Sequence, residues 1–354
     1  MKSQTGNHAE KVKCLVIDLD NTLWDGVLIE DGRENLSVNR ELIEVLQQLD
    51  RRGILLSIAS KNDEDAVVPF LKELGIEDLF VFPKINWNPK SQNIAAIAAD
   101  IDIGLDTLAF IDDNQFELEE VQFSHPEVRL LNARDYGSIL HDPVFTPDRI
   151  TRESKSRRQF YRQQMLRKRA EQTHNGLYRD FLRECNLEVT VRGARESDLD
   201  RVVEIVQRTN QMNFSTNRHG PERVKEMLHS RKFNMMLIEA SDRFGRYGSV
   251  GVVIIQVVQA GVWDIQDLMF SCRIQGKGVD EAVIIHLMQA ARDEGVQKLF
   301  GNFRKTQRNR QFLNTYRRLG FGLQEQHENC YRYVFYPSRD NTPPANHVMI
   351  KQEA

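Results

Sequence analysis

The chain has 354 residues, 40% of them hydrophobic and 28% charged, and a formal net charge of −3. Domains cluster near ~100–150 residues, so two are expected, and the near-neutral charge disfavours nucleic acid or an anionic membrane as a bulk partner. The sequence has no apolar region of signal type, no membrane-length apolar run and no C-x-x-C pair among Cys14, Cys185, Cys272 and Cys330, so a reducing cytoplasm is the expected setting.

In chain order, Cys14-Leu15-Val16-Ile17 reads as a buried strand delivering Asp18 and Asp20 into the turn Asn21-Thr22-Leu23. One carboxylate can attack phosphorus while its neighbour moves a proton, if a divalent cation offsets the accumulated negative charge. A periodic helix is expected over 39–52, stopping at Gly53. A strand over 54–59 then runs into Ser60. A helix over 65–74, a short strand near 80–82 and a helix from Pro89 to about 99 follow. The strand 107–111 ends at Asp112-Asp113-Asn114. This β-α alternation implies an open parallel sheet whose carboxyl edge collects the polar residues.

The motif Asp18-Leu19-Asp20-Asn21-Thr22-Leu23 resembles motif I of the haloacid dehalogenase-like (HAD) phosphotransferases. Ser60, Lys90 and the Asp112-Asp113 pair fall where that family places its later motifs. The resemblance implies Asp18 as nucleophile and Asp20 as acid and base. It also implies Ser60, Lys90 and Thr22 as phosphate-binding residues, and Mg²⁺ held by Asp18, Asp20 (through its backbone carbonyl), Asp112 and Asp113. Only about twenty residues separate Asp18 from the first helix, too few for an inserted cap, so the site should admit a bulky or protein-tethered substrate.

The stretch 148–171 is rich in Arg and Lys, with Tyr161, Met165 and Leu166 as a thin apolar stripe. It reads as a solvated helical connector. Beyond it, 187–192 alternates as a strand, 233–239 and 248–258 are β-rich, and Trp263 to Ser271 forms a strand entering Cys272-Arg273-Ile274-Gln275-Gly276-Lys277-Gly278. A helix over about 280–294 follows. Strand, R-x-x-G-x-G, helix presents backbone amides to a pyrophosphate or pantetheine arm. It resembles the acyl-CoA-binding motif of GNAT acyltransferases, and Asn309, Phe312, Tyr316 and Gly320-Phe321 repeat that superfamily's late pattern. The fold class expected is therefore α/β, a HAD-like Rossmannoid parallel sheet without a large cap followed by a GNAT-like α+β domain. The expected organisation is 1–145 phosphatase, 146–183 connector, 184–337 acyltransferase and 338–354 a flexible tail.

Together with Asn86-Trp87-Asn88-Pro89-Lys90, Arg208-Thr209-Asn210-Gln211-Met212-Asn213-Phe214 and Ser271-Cys272-Arg273, this pairing resembles the FkbH-like glyceryl transferase/phosphatase family over residues 10–335. Asp25 stands where members more often carry Gly. Members take a glyceryl unit from 1,3-bisphosphoglycerate, remove phosphate and load glyceryl as a thioester on an acyl carrier protein in polyketide or tetronate biosynthesis. The partners implied are that carrier protein and the small phosphorylated substrate.

A covalent glyceryl-enzyme needs a cysteine. Cys272, beside the amide-rich turn and Arg273, is the candidate, because cationic and helix-N-terminal surroundings favour thiolate. Arg273, Gly276, Gly278, Asn309 and Tyr316 are the expected pantetheine or acyl contacts. Asn210, Gln211 and Asn213 are candidate substrate contacts. Two other functions fit the same motifs: a HAD phosphatase of small metabolites with a non-catalytic GNAT-like half, and an acyl-CoA-dependent N-acyltransferase.

Overall fold

The computed structural model describes residues 11–147, 150, 156–209, 211–338 and 346–352. Within it the chain divides into two compact units, residues 1–165 and 166–354.

The first unit is a five-stranded sheet in the order β5-β4-β1-β6-β7, formed by β1 (Cys14–Ile17), β4 (Leu55–Ser60), β5 (Lys84–Ile85), β6 (Leu108–Asp112) and β7 (Arg129–Asn132). Every neighbouring pair is parallel. The three central strands, β1, β4 and β6, are buried along their whole length and largely apolar because both faces are covered. On β1, Leu15 and Ile17 join one core with α2 (Arg40–Arg51), while Cys14 and Val16 join the opposite core with α4 (Lys90–Ile101). Each fully buried Leu, Ile or Val contributes about 1.5–3 kcal/mol. The helix α2 starts where the Asn39 side chain accepts from Leu42 N at 3.0 Å. It buries Leu42, Val45, Leu46 and Leu49, as the periodicity requires.

The excursion between Asp18 and α2 is small. It holds a ribbon of β2 (Trp24–Asp25) and β3 (Ser37–Val38) and a single helical turn, α1 (Leu28–Asp31). The strand expected near 80–82 is displaced. Phe80 makes only an isolated bridge to Leu56, Phe82 turns to φ 48°, and pairing with β4 falls at Lys84–Ile85. A positive φ at a bulky residue ends an extended run. Two further helices, α3 (Glu64–Glu73) and α5 (Gln115–Ser124), complete the unit.

The second unit is a nine-stranded sheet. Its main path runs β14 (Gly322–His327), β15 (Cys330–Phe335), β13 (Lys298–Arg304), β12 (Val262–Phe270), β11 (Gly245–Gln259), β10 (Phe233–Asp242), β8 (Glu188–Gly193) and β16 (Met349–Gln352), with β9 (Met212–Asn213) on β12. Neighbours are antiparallel except β12–β13 and β8–β16. Leu268 and Phe270 of β12 face the core containing α10 (Val279–Asp293). Met269 faces the core containing α8 (Leu199–Arg208) and α9 (Pro221–His229). The α/β class and the two-part architecture are as expected.

Two expectations change here. Met349–Gln352, assigned to a flexible tail, is an edge strand paired in register with Glu188–Val191. The open edge of β8 supplies the unpaired backbone groups that recruit it. The basic stretch expected as a solvated connector contains α6 (Arg157–Thr173) and α7 (Tyr178–Glu184), and Arg167 within it is buried. Arg167 Nε and Nη2 grip both Asp242 oxygens at 2.7 and 2.8 Å, and its guanidinium stacks 3.8 Å from the Tyr247 ring centre. That pairing is what makes burial of the charge tolerable. Arg149, Arg152 and Lys155 lie outside the described residues. No described helix is long and apolar enough to cross a membrane.

Candidate functional site

At the carboxyl edge of the parallel sheet, Asp18 leaves β1, Ser60 ends β4, Asp112 ends β6 and Lys90 opens α4. All four are buried, with Asp18 7%, Ser60 1%, Lys90 2% and Asp112 1% exposed. Lys90 Nζ donates to Asp18 Oδ1, to Asp112 Oδ2 at 3.0 Å and to the Ala59 carbonyl at 2.9 Å. Burial alone would pull the Lys90 ammonium down, but Asp18 and Asp112 raise it above its ordinary value. Burial and the neighbouring Asp18 charge push Asp112 up to about 6.

One carboxylate oxygen each from Asp18, Asp112 and Asp113 lies within 4.8 Å of the others. Three hard oxygen donors beside an open polar edge fit a small divalent cation of the magnesium type. Asp113 is raised, first by burial and then by Asp18. Thr22 is buried, its hydroxyl near Asp113 but outside hydrogen-bond geometry.

Asp20 is held by three donors: Trp24 Nε1 at 2.8 Å, Leu28 N at 3.1 Å and Asn62 Nδ2 at 2.8 Å. Its carboxyl is raised, chiefly by burial and against the lowering effect of the Leu28 and Trp24 hydrogen bonds. A fixed, raised carboxyl beside a second carboxylate suits proton transfer. Asn62 and Trp24 were not legible as site residues. The only hint was that Asn62 follows Ser60 by two positions at a strand end. Lys61, just after β4, pairs with Glu117 in the first turn of α5 at 2.7 Å.

In the second unit, Cys272 opens a short 3-10 turn, Cys272–Ile274, directly after β12, and is partly exposed. The other expected contacts divide. Arg273 is committed to β11, donating to Tyr247 O, and to Ser249 O at 3.4 Å, while its Nε reaches Ser271 Oγ at 3.1 Å. Asn309 is fully buried and donates to Asn213 O at 2.9 Å and Arg304 O at 2.8 Å. Asn213, also buried, shapes its own turn by accepting from Thr216 N at 2.7 Å. These three polar side chains close the local backbone. Tyr316 is buried against Gly301, where an added Cβ would lie 2.5 Å from the ring, yet its hydroxyl has no partner among the described residues. Gln211 is partly exposed just before β9, and Asn210 lies outside the described residues.

Gly276 and Gly278 take φ 72° and 73° and lead into α10, the backbone form that the R-x-x-G-x-G pattern requires. The cradle itself is covered, however. Asn346 Nδ2 donates to Gly278 O at 3.0 Å, and a Cβ on Gly278 would lie 3.0 Å from His347 Cε1. The first turn of α10 carries Asp280 and Glu281, and burial together with Glu281 pushes Asp280 up to about 6. Acidic groups at that helix start oppose a pyrophosphate.

No family model matches the chain, and no curated protein matches it. Among solved structures, it is similar to the N-terminal part of a Bacteroides fragilis protein containing a phosphatase domain complexed with Mg. There the identity is 32% over 37% of this chain and 40% of that one, with a TM-score of 0.35. It is also similar to a ribosomal-protein alanine N-acetyltransferase from Escherichia coli, at 16% identity over 43% of this chain and 95% of that one, with a TM-score of 0.34. A spermidine N-acetyltransferase from Vibrio cholerae, in complex with CoA and spermine, is 14% identical over 42% of this chain and 96% of that one, with a TM-score of 0.35.

Proposed function

We propose that the chain is a two-site enzyme. The first unit releases phosphate through Asp18, and the second transfers an acyl group to a thiol. The observation that carries the first half is the Lys90 ammonium shared between Asp18 and Asp112, with Asp113 alongside. Buried carboxylates at this spacing are held together by a cation, and a phosphate entering beside Lys90 meets a fixed positive charge.

Asp18 attacks phosphorus and Asp20 delivers a proton to the leaving oxygen. Asp20 then takes a proton from the water that hydrolyses the aspartyl-phosphate. Asn62, Trp24 and the Leu28 amide hold Asp20 in place for both transfers. Ser60 and Lys90 bind phosphoryl oxygens. Asp18, Asp112, Asp113 and the Asp20 carbonyl would hold Mg²⁺, which supplies charge neutralisation of the phosphoryl group.

For the second half, the reading is loading of glyceryl from 1,3-bisphosphoglycerate onto the pantetheine thiol of an acyl carrier protein, with Cys272 as relay. Its support is the covered cradle at Gly278 and the acidic start of α10, both of which disfavour a nucleotide pyrophosphate and so an acyl-CoA donor. A carrier-bound pantetheine brings no such group. Incubating the chain with 1,3-bisphosphoglycerate, Mg²⁺ and a phosphopantetheine-bearing carrier protein tests the reading. Phosphate release together with a glyceryl mass increment on the carrier supports it, and phosphate release without that increment removes the transfer half.

A further inference from the structure

The strands β12 and β13 pair only from Val262–Ile265 to Lys298–Gly301. Beyond Ile265 they part, and the segment Met212-Asn213-Phe214 enters between them. Asn213 pairs with Met269, Phe214 N donates to Leu268 O at 3.0 Å, and Arg304 N donates to Phe214 O at 2.7 Å. Asp267 lies on β12 where this separation begins, and it is 1% exposed. Its Oδ1 accepts from Ser215 Oγ at 2.5 Å and from Asn217 Nδ2 at 2.8 Å. Oδ2 is left facing His219 Nε2 at 2.8 Å.

A buried carboxylate with one oxygen saturated and the other on an imidazole fixes both the tautomer and the plane of that ring. The His219 side chain remains 22% exposed while its Nε2 is held by Asp267. Nδ1 is the nitrogen that Asp267 does not engage. None of the roles assigned above uses this pair, and Asp267 lies on β12, the strand that leads into the Cys272 turn.

We propose that His219 is the proton acceptor of the acyl-transfer site, positioned by Asp267, and that the site takes an anionic acyl donor. The proposal rests on the acyl-transfer reading above and adds the residue that performs the proton step. The thiol S–H bond breaks, with its proton passing to His219 Nδ1. The thiolate sulfur forms a C–S bond to the acyl carbon, and the C–O bond to phosphate breaks with its electron pair leaving on the phosphate oxygen. The proton then returns from Nδ1 to phosphate. The neighbourhood is basic: Arg218 donates to Val206 O at 2.8 Å, and Arg308 stands close enough to depress it further after burial has done so. Arg223 of α9 also bears on His219. A guanidinium acting on the imidazole, with Arg218 next to it in the chain, suits a phosphate-bearing donor.

The test uses the full chain with acetyl phosphate as probe donor and N-acetylcysteamine as probe thiol, following thioester formation. Thermal melting checks that each variant folds, and His219→Gln stands beside His219→Ala should the latter fail to fold. Loss of the base should slow thioester formation by about 100-fold or more, and added imidazole should restore at least about tenfold in His219→Ala. Asp267→Asn should slow it by roughly tenfold or more, with Asp267→Glu recovering part of the rate. A rate within about threefold of wild type in either His219 variant overturns the proposal, as does absence of thioester from the wild type. If acetyl phosphate reacts but glyceryl loading of a carrier fails, the glyceryl reading falls and the dyad stands. If glyceryl loading proceeds unchanged in His219→Ala, the dyad falls and that reading stands.

Discussion

Asn62 Nδ2 donates to Asp20 Oδ2 at 2.8 Å, tying the loop after β4 to the carboxylate two residues beyond Asp18. Asn62 is 1% exposed, so no water can replace it without a rearrangement. Asn62→Ala should leave Asp18 and Lys90 in place and free one oxygen of Asp20. Phosphate release should fall by about 10- to 100-fold, mainly in turnover rather than in KM. Steady-state kinetics on a phosphate ester checks this, and an unchanged turnover would show that Trp24 and the Leu28 amide suffice.

Cys272→Ala separates a cysteine relay from direct transfer. With the relay, the variant keeps phosphate release at the first unit but loses loading of the carrier protein. Intact-protein mass of the carrier is the readout, and undiminished loading leaves direct attack by pantetheine as the route.

Tyr316 combines a packed ring with an unpartnered hydroxyl. Tyr316→Phe should preserve or raise stability, since a buried hydroxyl without a partner costs about 1–3 kcal/mol. Tyr316→Ala should lose about 3–5 kcal/mol through the cavity left among Phe214, Phe321 and Tyr333. Denaturant unfolding measures both. A Tyr316→Phe variant of full stability but lost acyl transfer would assign the hydroxyl to a ligand.

The hydrogen bond that His219 donates to Asp267 raises the imidazole above its ordinary value, against the lowering effect of burial. The stabilisation is therefore fully present below the unfolded value of about 6.5 and disappears as pH rises through the higher folded value. The unfolding midpoint of wild type minus that of His219→Gln should accordingly shrink between weakly acid and weakly alkaline pH. A pH-independent difference would contradict the ion pair.

The polar edge of the first unit was legible because a parallel sheet places every strand end on one line. Reading Asp18, Ser60, Lys90 and Asp112 as strand-end or helix-start residues therefore located them together. What escaped was the support: Asn62 and Glu117 serve through hydrogen bonds whose partners are distant in sequence, and Trp24 through an indole N–H that only the folded turn aims back at Asp20. In the second unit the glycines of Gly276-Lys277-Gly278 announced their backbone form, but nothing local revealed that Asn346 and His347 return to cover it. Asn309 and Asn213 carry the residue type of ligand contacts, and only the three-dimensional closure of the Met212–Asn213 strand shows what they bond. His219 and Asp267 stand 48 positions apart and gave no pattern to read.

Asp18→Asn is the most direct test of the phosphatase site. The amide is nearly the size of the carboxylate but cannot form the aspartyl-phosphate, so phosphate release from p-nitrophenyl phosphate should fall by about 10⁴-fold or more while the melting temperature holds. In the wild type, EDTA should abolish release and Mg²⁺ restore it. Release within about tenfold of wild type in Asp18→Asn, under saturating Mg²⁺, would contradict Asp18 as the nucleophile.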